Sequence, residues 1–422
     1  MDRRALGIAG VAVAGAAGVT ALLRWKLWSH GVPSTPTPPV GDYFDPGELV
    51  RNREYRRGAW AMAVAAVPIA PAVALAVAGT SGRWGGPLAR LARGRAWRAG
   101  LLFGAGLSVA GTLAALPLRA ARYGWGREYG IITQDPPAWL LDVAKGAGIG
   151  AVISAGVACG AAVLIARAPR LWWAGLAGGI AGFVYLSTLL APVVIEPLFQ
   201  KTRPLDDPVL ARQILDLARR EGVPADRVLV NDASRRTVAA NAYVSGLGAS
   251  RRIVLYDTLL RDFPRDEVLV VVAHELAHVK HRHVLKGTTV GALMAIPGCL
   301  LCFALVGART GWGRAGTPGE AGTRLVVRRL AIVAATASVA GTLATPFANV
   351  VSRTYEREAD WTALQTARDP SAQVRLFQGF VRTALGMPDT PRALQLWFGT
   401  HPEPIERIGM AEYFARRPDT AG

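Results

Sequence analysis

Seven long apolar blocks, free of charge but for Lys286 in the sixth, interrupt the polar positions of this chain. They are 5–23, 60–79, 99–118, 146–166, 171–195, 284–307 and 330–351. Each is about the length a helix needs to cross a bilayer core, roughly 17–25 residues. The pattern predicts a mainly α, polytopic membrane protein with about seven transmembrane helices. The first block has a second reading as a cleaved signal peptide, because Arg3 and Arg4 precede it and small residues fill it. Its length, and the lack of a clear cleavage site, favour a span.

The polar positions divide the rest. The stretch 30–58 has a proline cluster that predicts an extended linker, then a short amphipathic helix at the membrane surface. The connection 119–146 is similar in kind, with a helix from Pro137 into the fourth span. A larger polar region follows the fifth span. Residues 206–222 carry apolar positions at helical spacing, with an acidic start and a glycine stop. Residues 226–234 predict a short strand, and 236–260 a second strand, a Gly-rich turn and a third strand. A helix is expected from near Arg265 through "EVLVVVAHELAHVKHRH". The expected organisation is an N-terminal membrane domain (1–195), a first polar part (196–283), two transmembrane helices (284–351) and a second polar part (352–422).

Composition changes this picture little. The chain is 51% hydrophobic, and 48 Lys and Arg against 30 Asp and Glu leave a net charge of +18. Basic runs such as 83–98 fall in short connections between spans, where they suit anionic lipid head groups. No aromatic-basic platform accompanies them, so the lipid bilayer rather than nucleic acid is the expected partner. Cys159, Cys299 and Cys302 all fall inside apolar blocks, which predicts packing rather than disulfide or metal chemistry.

The chemistry is concentrated at "HELAHVKHRH", which holds four of the six histidines. His274 and His278 are four apart, so on a helix they share a face and can reach one ion. Glu275 sits beside them, placed to take a proton from a metal-bound water. A catalytic zinc takes three protein ligands and leaves a position open, so a third ligand is needed. "NVVSRTYEREADW" follows the last span and offers Glu356, with Asp360 four residues on to orient a ligating imidazole. The His274 helix leads into the sixth span and Glu356 follows the seventh, so both segments emerge on one side of the bilayer.

Four ordered segments carry a resemblance: "NDASRRTVAANAYVSGLGASRRIVLYDTLL", "HELAHVKHRH", "NVVSRTYEREAD" and "THPEPIERI", with "IEPLFQKTRPL" as a fifth. Together they resemble the integral-membrane zinc metallopeptidases of the type I CAAX prenyl endopeptidases, relatives of the bacterial heat-shock membrane proteases. The resemblance implies a zincin-like (gluzincin) catalytic domain carrying a small β-sheet and one Zn2+ per chain. By position it makes His274, His278 and Glu356 the zinc ligands and Glu275 the general base. Asp360 becomes the partner of a ligand histidine, and Arg407 an orienting or ion-pairing residue. His401 resembles a donor to the developing oxyanion, although Glu403 stands where the family often has a second proline. Asn241, Ala242 and Tyr243 fall on the family's substrate-binding edge strand. His281 has no counterpart and His283 matches a commonly polar position, so both are expected to be surface or structural histidines.

The expected function is a membrane-embedded zinc endopeptidase, CAAX prenyl protease-like, acting on a peptide or membrane-protein substrate. The alternatives are an inactive zinc-binding scaffold or chaperone, and a transporter. Retention of Glu275 opposes the first, and spans nearly free of acidic residues and histidines oppose the second. Charge is plentiful on both faces and does not orient the chain. A cell-membrane location with a cytoplasmic catalytic side is what the resemblance implies.

Overall fold

The computed structural model describes residues 3–27, 31–246, 251–313 and 319–417. Seven helices are long and apolar enough to cross a membrane: Arg3–Ala21, Leu49–Gly79, Ala96–Glu128, Pro136–Arg167, Trp172–Val194, His283–Thr310 and Glu320–Ala367. Each expected block lies within one of these helices, found among the described residues, or overruns it by no more than two residues at either end. The second is broken by Pro68, where the helix Leu49–Ala66 ends and Ile69–Gly79 begins, because proline cannot donate its backbone nitrogen to the preceding turn.

The sixth span is the hub. It is 44% buried, against 6–22% for the others, and it packs on the first, fifth and seventh. Cys299 and Cys302 are buried there beside Trp172 and Phe303, in the packing role expected of them. Spans three and four lie closest to one another. Gly100 and Gly104 are one turn apart, and a Cβ on either would fall 2.5 Å from Ala158 O or 2.2 Å from Ser154 O. Small residues at this spacing let two backbones touch in a membrane.

Two connections differ from expectation. Residues 32–39 form no regular element, and no separate surface helix beyond the three-residue turn Val40–Asp42 follows. Leu49–Ala66 is the polar start of the second span itself, and it docks on the C-terminal part of the chain. Buried Asn52 donates from Nδ2 to Val381 O (3.0 Å) and Gly386 O (2.8 Å), and Arg56 Nε donates to Leu385 O (2.8 Å). Phe44 and Leu49 join Phe377, Val381, Ile405 and Ile408 in one apolar cluster. Residues 119–128 likewise extend the third span as helix and do not form a linker. Their continuation bridges to the polar domain at Ile132↔Thr237.

That domain carries a four-stranded sheet of β1 (Thr202–Pro204), β2 (Arg227–Asn231), β3 (Ala242–Ser245) and β4 (Arg252–Tyr256) in the order β1-β2-β4-β3. β2 and β4 are parallel and the other pairs antiparallel. β1 was not anticipated, since three residues around a proline give no period to read. The expected Gly-rich turn falls partly at 247–250, outside the described residues. Ile253 and Leu255 pack against Val268, Val272 and Leu276 of the helix Arg265–Lys280, and against Ile214 and Leu217 of Pro208–Arg220.

Two spans separate Thr202 from Gly422. Reporters inserted at the first and fused after the second are therefore expected on the same side of the membrane. Opposite sides would remove one of the last two spans.

Candidate metal centre

The helix Arg265–Lys280 is buried nearly all round, which accounts for its run of valines: Val268, Val270, Val271 and Val272 are all in the core. Asp266 and Glu267 in its first turn suit the positive end of the helix dipole. It ends at Arg282, whose left-handed backbone (φ 55°) turns the chain so that His283 begins the sixth span. The long helix Glu320–Ala367 crosses it. Tyr355, Glu356, Ala359, Asp360 and Ala363 are buried there, the spacing of one helical face.

Among the described residues, His274, His278 and Glu356 form a group whose ligand atoms lie within 4.8 Å of one another. The two Nε2 atoms are 3.0 Å apart. Glu356 Oε2 is 3.2 Å from His274 Nε2, and Oε1 is 3.4 Å from His278 Nε2. A tetrahedral ion about 2.0–2.1 Å from each ligand sets them roughly 3.3–3.4 Å apart. The set is two imidazoles and a carboxylate, the donor types zinc takes, and Glu356 Oε2 is buried with no hydrogen-bond partner. The residues fit a zinc ion.

Behind His274 stands a buried ion pair. His274 Nδ1 is 2.9 Å from Asp360 Oδ1, and Asp360 is 2% exposed. Arg407, from the helix Pro404–Ala415, donates to both Asp360 oxygens, through Nε at 2.8 Å and through Nη2. Its guanidinium also lies 4.1 Å above the Phe377 ring. A carboxylate only accepts, so His274 Nδ1 carries a hydrogen to Asp360, and an ion held between Nε2 and Glu356 would take the Nε2 lone pair.

His401 reaches the cluster from the other side. Its Nε2 is 3.3 Å from Glu356 Oε2, and its side chain is 57% exposed, on the open face of the site. Glu403, where a proline was noted as usual, leaves that approach intact. It accepts from Thr390 Oγ1 (3.1 Å), and burial pushes its carboxyl up to about 7. Burial has the same effect on Glu275, raised to about 7. Glu275, His274 and His401 border a cavity of about 280 Å3 whose apolar wall includes Val270, Leu376, Phe377 and Phe380.

β3 is the last strand of its sheet. Tyr256 N donates to Asn241 O (2.9 Å), and the register continues with Tyr243↔Val254. Antiparallel alternation therefore commits the main chain of Asn241 and Tyr243 to β4 and turns that of Ala242 and Val244 to the open edge. The Tyr243 hydroxyl donates to Gln200 Oε1 (2.7 Å) and to Glu196. Of the three residues expected on this strand, Ala242 has its main chain on the open edge.

His281 and His283 both make structural contacts, but they differ in what they touch. His281 meets Glu358 Oε1 (3.2 Å) and Thr362 Oγ1 (2.9 Å). His283 is 4% exposed and contacts His278 itself, Nδ1 to Nδ1 at 2.8 Å. The only sequence signal was its place five residues beyond His278.

A multi-span bundle that carries such a cluster at its polar end defines a membrane metalloprotease. The chain belongs to peptidase family M48, whose profile matches residues 204–415. A second profile, described as CAAX prenyl protease N-terminal, five membrane helices, matches residues 58–201. The chain is 32% identical over 313 residues to the uncharacterized metalloprotease YhfN of Bacillus subtilis, covering 74% of this chain and 73% of that one. It is 42% identical over 123 residues to a CAAX prenyl protease 1 homolog of Dictyostelium discoideum, covering 28% of each. The crystal structure of S. mikatae Ste24p superposes with a TM-score of 0.76 over 98% of this chain and all of that one, at 20% identity, which shows the fold.

Purified protein should hold about one zinc per chain. Glu356→Ala is expected to hold far less by elemental analysis, and an unchanged content would take Glu356 out of the centre.

Proposed function

We propose that the chain is a zinc-dependent endopeptidase that hydrolyses peptide bonds at the membrane surface in the manner of CAAX prenyl proteases. The observation that carries this reading is that Glu275 and His401 line the same cavity as His274, with His401 Nε2 3.3 Å from Glu356 Oε2. Residues 1–195 then form a membrane domain. Residues 196–283 and 352–422 are the two parts of the peptidase, joined through the spans in 284–351. The catalytic side faces the cytoplasm of a cell membrane.

Held by His274, His278 and Glu356, zinc supplies a Lewis acid and a water of lowered pKa. The protein does the rest. Glu275 takes the proton of the attacking water on its carboxylate and passes it to the leaving amine. A raised affinity for that proton, which burial gives it, suits a group that must both accept and return it. The ion beside it would draw that affinity down again. His401 Nε2 faces the open side, where it can donate to the oxygen that gains charge. A peptide laid along β3 would pair with the main chain of Ala242 and Val244 and be held straight past the ion.

The cavity bears on substrate. Its wall of valine, leucine and phenylalanine admits an apolar side chain next to the scissile bond, and Arg407 is already committed to Asp360. This supports the aliphatic residues that follow the cysteine of a CAAX sequence.

Glu275→Gln keeps the shape of the side chain and removes its basicity. Zinc should stay bound while hydrolysis of a quenched peptide in detergent falls at least ~100-fold. Equal rates would end the mechanism, and a parent that cleaves no peptide, prenylated or not, would favour the scaffold. A second comparison tests the cavity. Replacing a peptide's aliphatic residue beside the cleavage point with aspartate should slow cleavage by at least ~10-fold, the cost of burying an unpaired charge. Indifference to that change would place the substrate elsewhere.

A further inference from the structure

His283 is the first residue of the sixth span, and its ring is enclosed. It stacks on Tyr355 at 4.6 Å and 12°. Nδ1 lies 2.8 Å from His278 Nδ1, and Nε2 lies 3.0 Å from Glu358 Oε2. Glu358 is itself fixed by His281 Nδ1 (3.2 Å) and Lys286 Nζ (3.9 Å).

The direction of the hydrogen bonds follows from one end. Ionised Glu358 only accepts, so the hydrogen of neutral His283 is on Nε2. Its Nδ1 is then bare. A 2.8 Å contact between two Nδ1 atoms needs one hydrogen, so His278 Nδ1 donates. Neutral His278 with its hydrogen on Nδ1 has a bare Nε2, the atom 3.0 Å from His274 Nε2 and 3.4 Å from Glu356 Oε1. The opposite direction would set two lone pairs, of His283 Nε2 and Glu358, against each other, and would point a hydrogen into the metal position.

We propose that His283 and Glu358 are positioning residues, a relay that holds His278 in the tautomer and orientation a metal requires. The relay does for His278 what Asp360 and Arg407 do for His274, and it rests on the reading of this cluster as a zinc centre. Glu320–Ala367 thereby supplies a carboxylate to each ligand histidine, Asp360 backed by Arg407 of the C-terminal helix on one side and Glu358 through His283 of the sixth span on the other.

The test titrates zinc into metal-free, full-length protein in detergent, in competition with a fluorescent chelator. His283→Ala is expected to weaken zinc about 10–100-fold, the usual effect of removing a ligand's hydrogen-bond partner. His283→Asn returns a carbonyl acceptor near the place of Nδ1 and should recover most of that loss. Glu358→Ala, which keeps the stacked ring, should weaken zinc in the same direction. The visible absorption bands of cobalt-loaded His283→Ala should shift from those of the parent, reporting a disturbed ligand. Unchanged zinc affinity in His283→Ala, or equal losses in the Ala and Asn variants, would overturn the relay and leave only packing on Tyr355. Parent protein that takes up no zinc would overturn the centre itself, a distinct result.

Discussion

The pairing of Arg407 with Asp360, and of Asp360 with His274, is the interaction on which the rest of this molecule depends. It joins three elements that are far apart in sequence: the helix Arg265–Lys280, the membrane-crossing helix Glu320–Ala367 and the C-terminal helix Pro404–Ala415. Asp360 is nearly sealed from water, and a buried carboxylate is tolerable only with a cation and good hydrogen bonds around it. Arg407 supplies both and His274 supplies a third contact. Loss of the guanidinium would strand a buried charge, at a cost of about 3–5 kcal/mol. The polar parts on either side of the last two spans therefore hold together through the group that also orients a proposed ligand.

Around this pair, the membrane sets the geometry. His278 is five residues from the first residue of the sixth span, and Glu356 lies on the same helix as the seventh. Two residues, His281 and the left-handed Arg282, join the helix Arg265–Lys280 to the sixth span. Spans six and seven pack on each other, so the approach of His278 to Glu356 follows from their packing and needs no long loop closure.

Much of this was legible in the sequence because the membrane demands it. A bilayer core forces each crossing to be a long apolar helix, so the seven blocks announced themselves. His274 and His278 were legible for a similar reason: two ligands proposed for one ion must share a helical face. The contacts that went unread join residues hundreds of positions apart. Asn52 caps carbonyls of Val381 and Gly386, and no period in residues 49–57 points there. Three-residue β1 exists only because β2 offers it an edge. Gly104 looks like any small residue of an apolar block until its neighbour's backbone is seen against it. His283 differs again, since its meaning depends on the turn at Arg282 that folds it back on His278.

The helix Glu320–Ala367, continuous through Pro346, has a mechanical consequence. Its 48 residues make a rod about 72 Å long, against a hydrocarbon core of about 30 Å. A tilt of about 2° around its middle would carry Glu356, about 19 Å from that point, by roughly 0.65 Å, about three times the ~0.2 Å tolerance of a metal–ligand distance. Asn349 and Arg353 clamp the rod where it leaves the apolar block, donating to carbonyls of Trp397 (2.8 Å) and Gln395 (3.0 Å). Those two clamps stand between any change in the inclination of the seventh span and the turn of helix that carries Glu356.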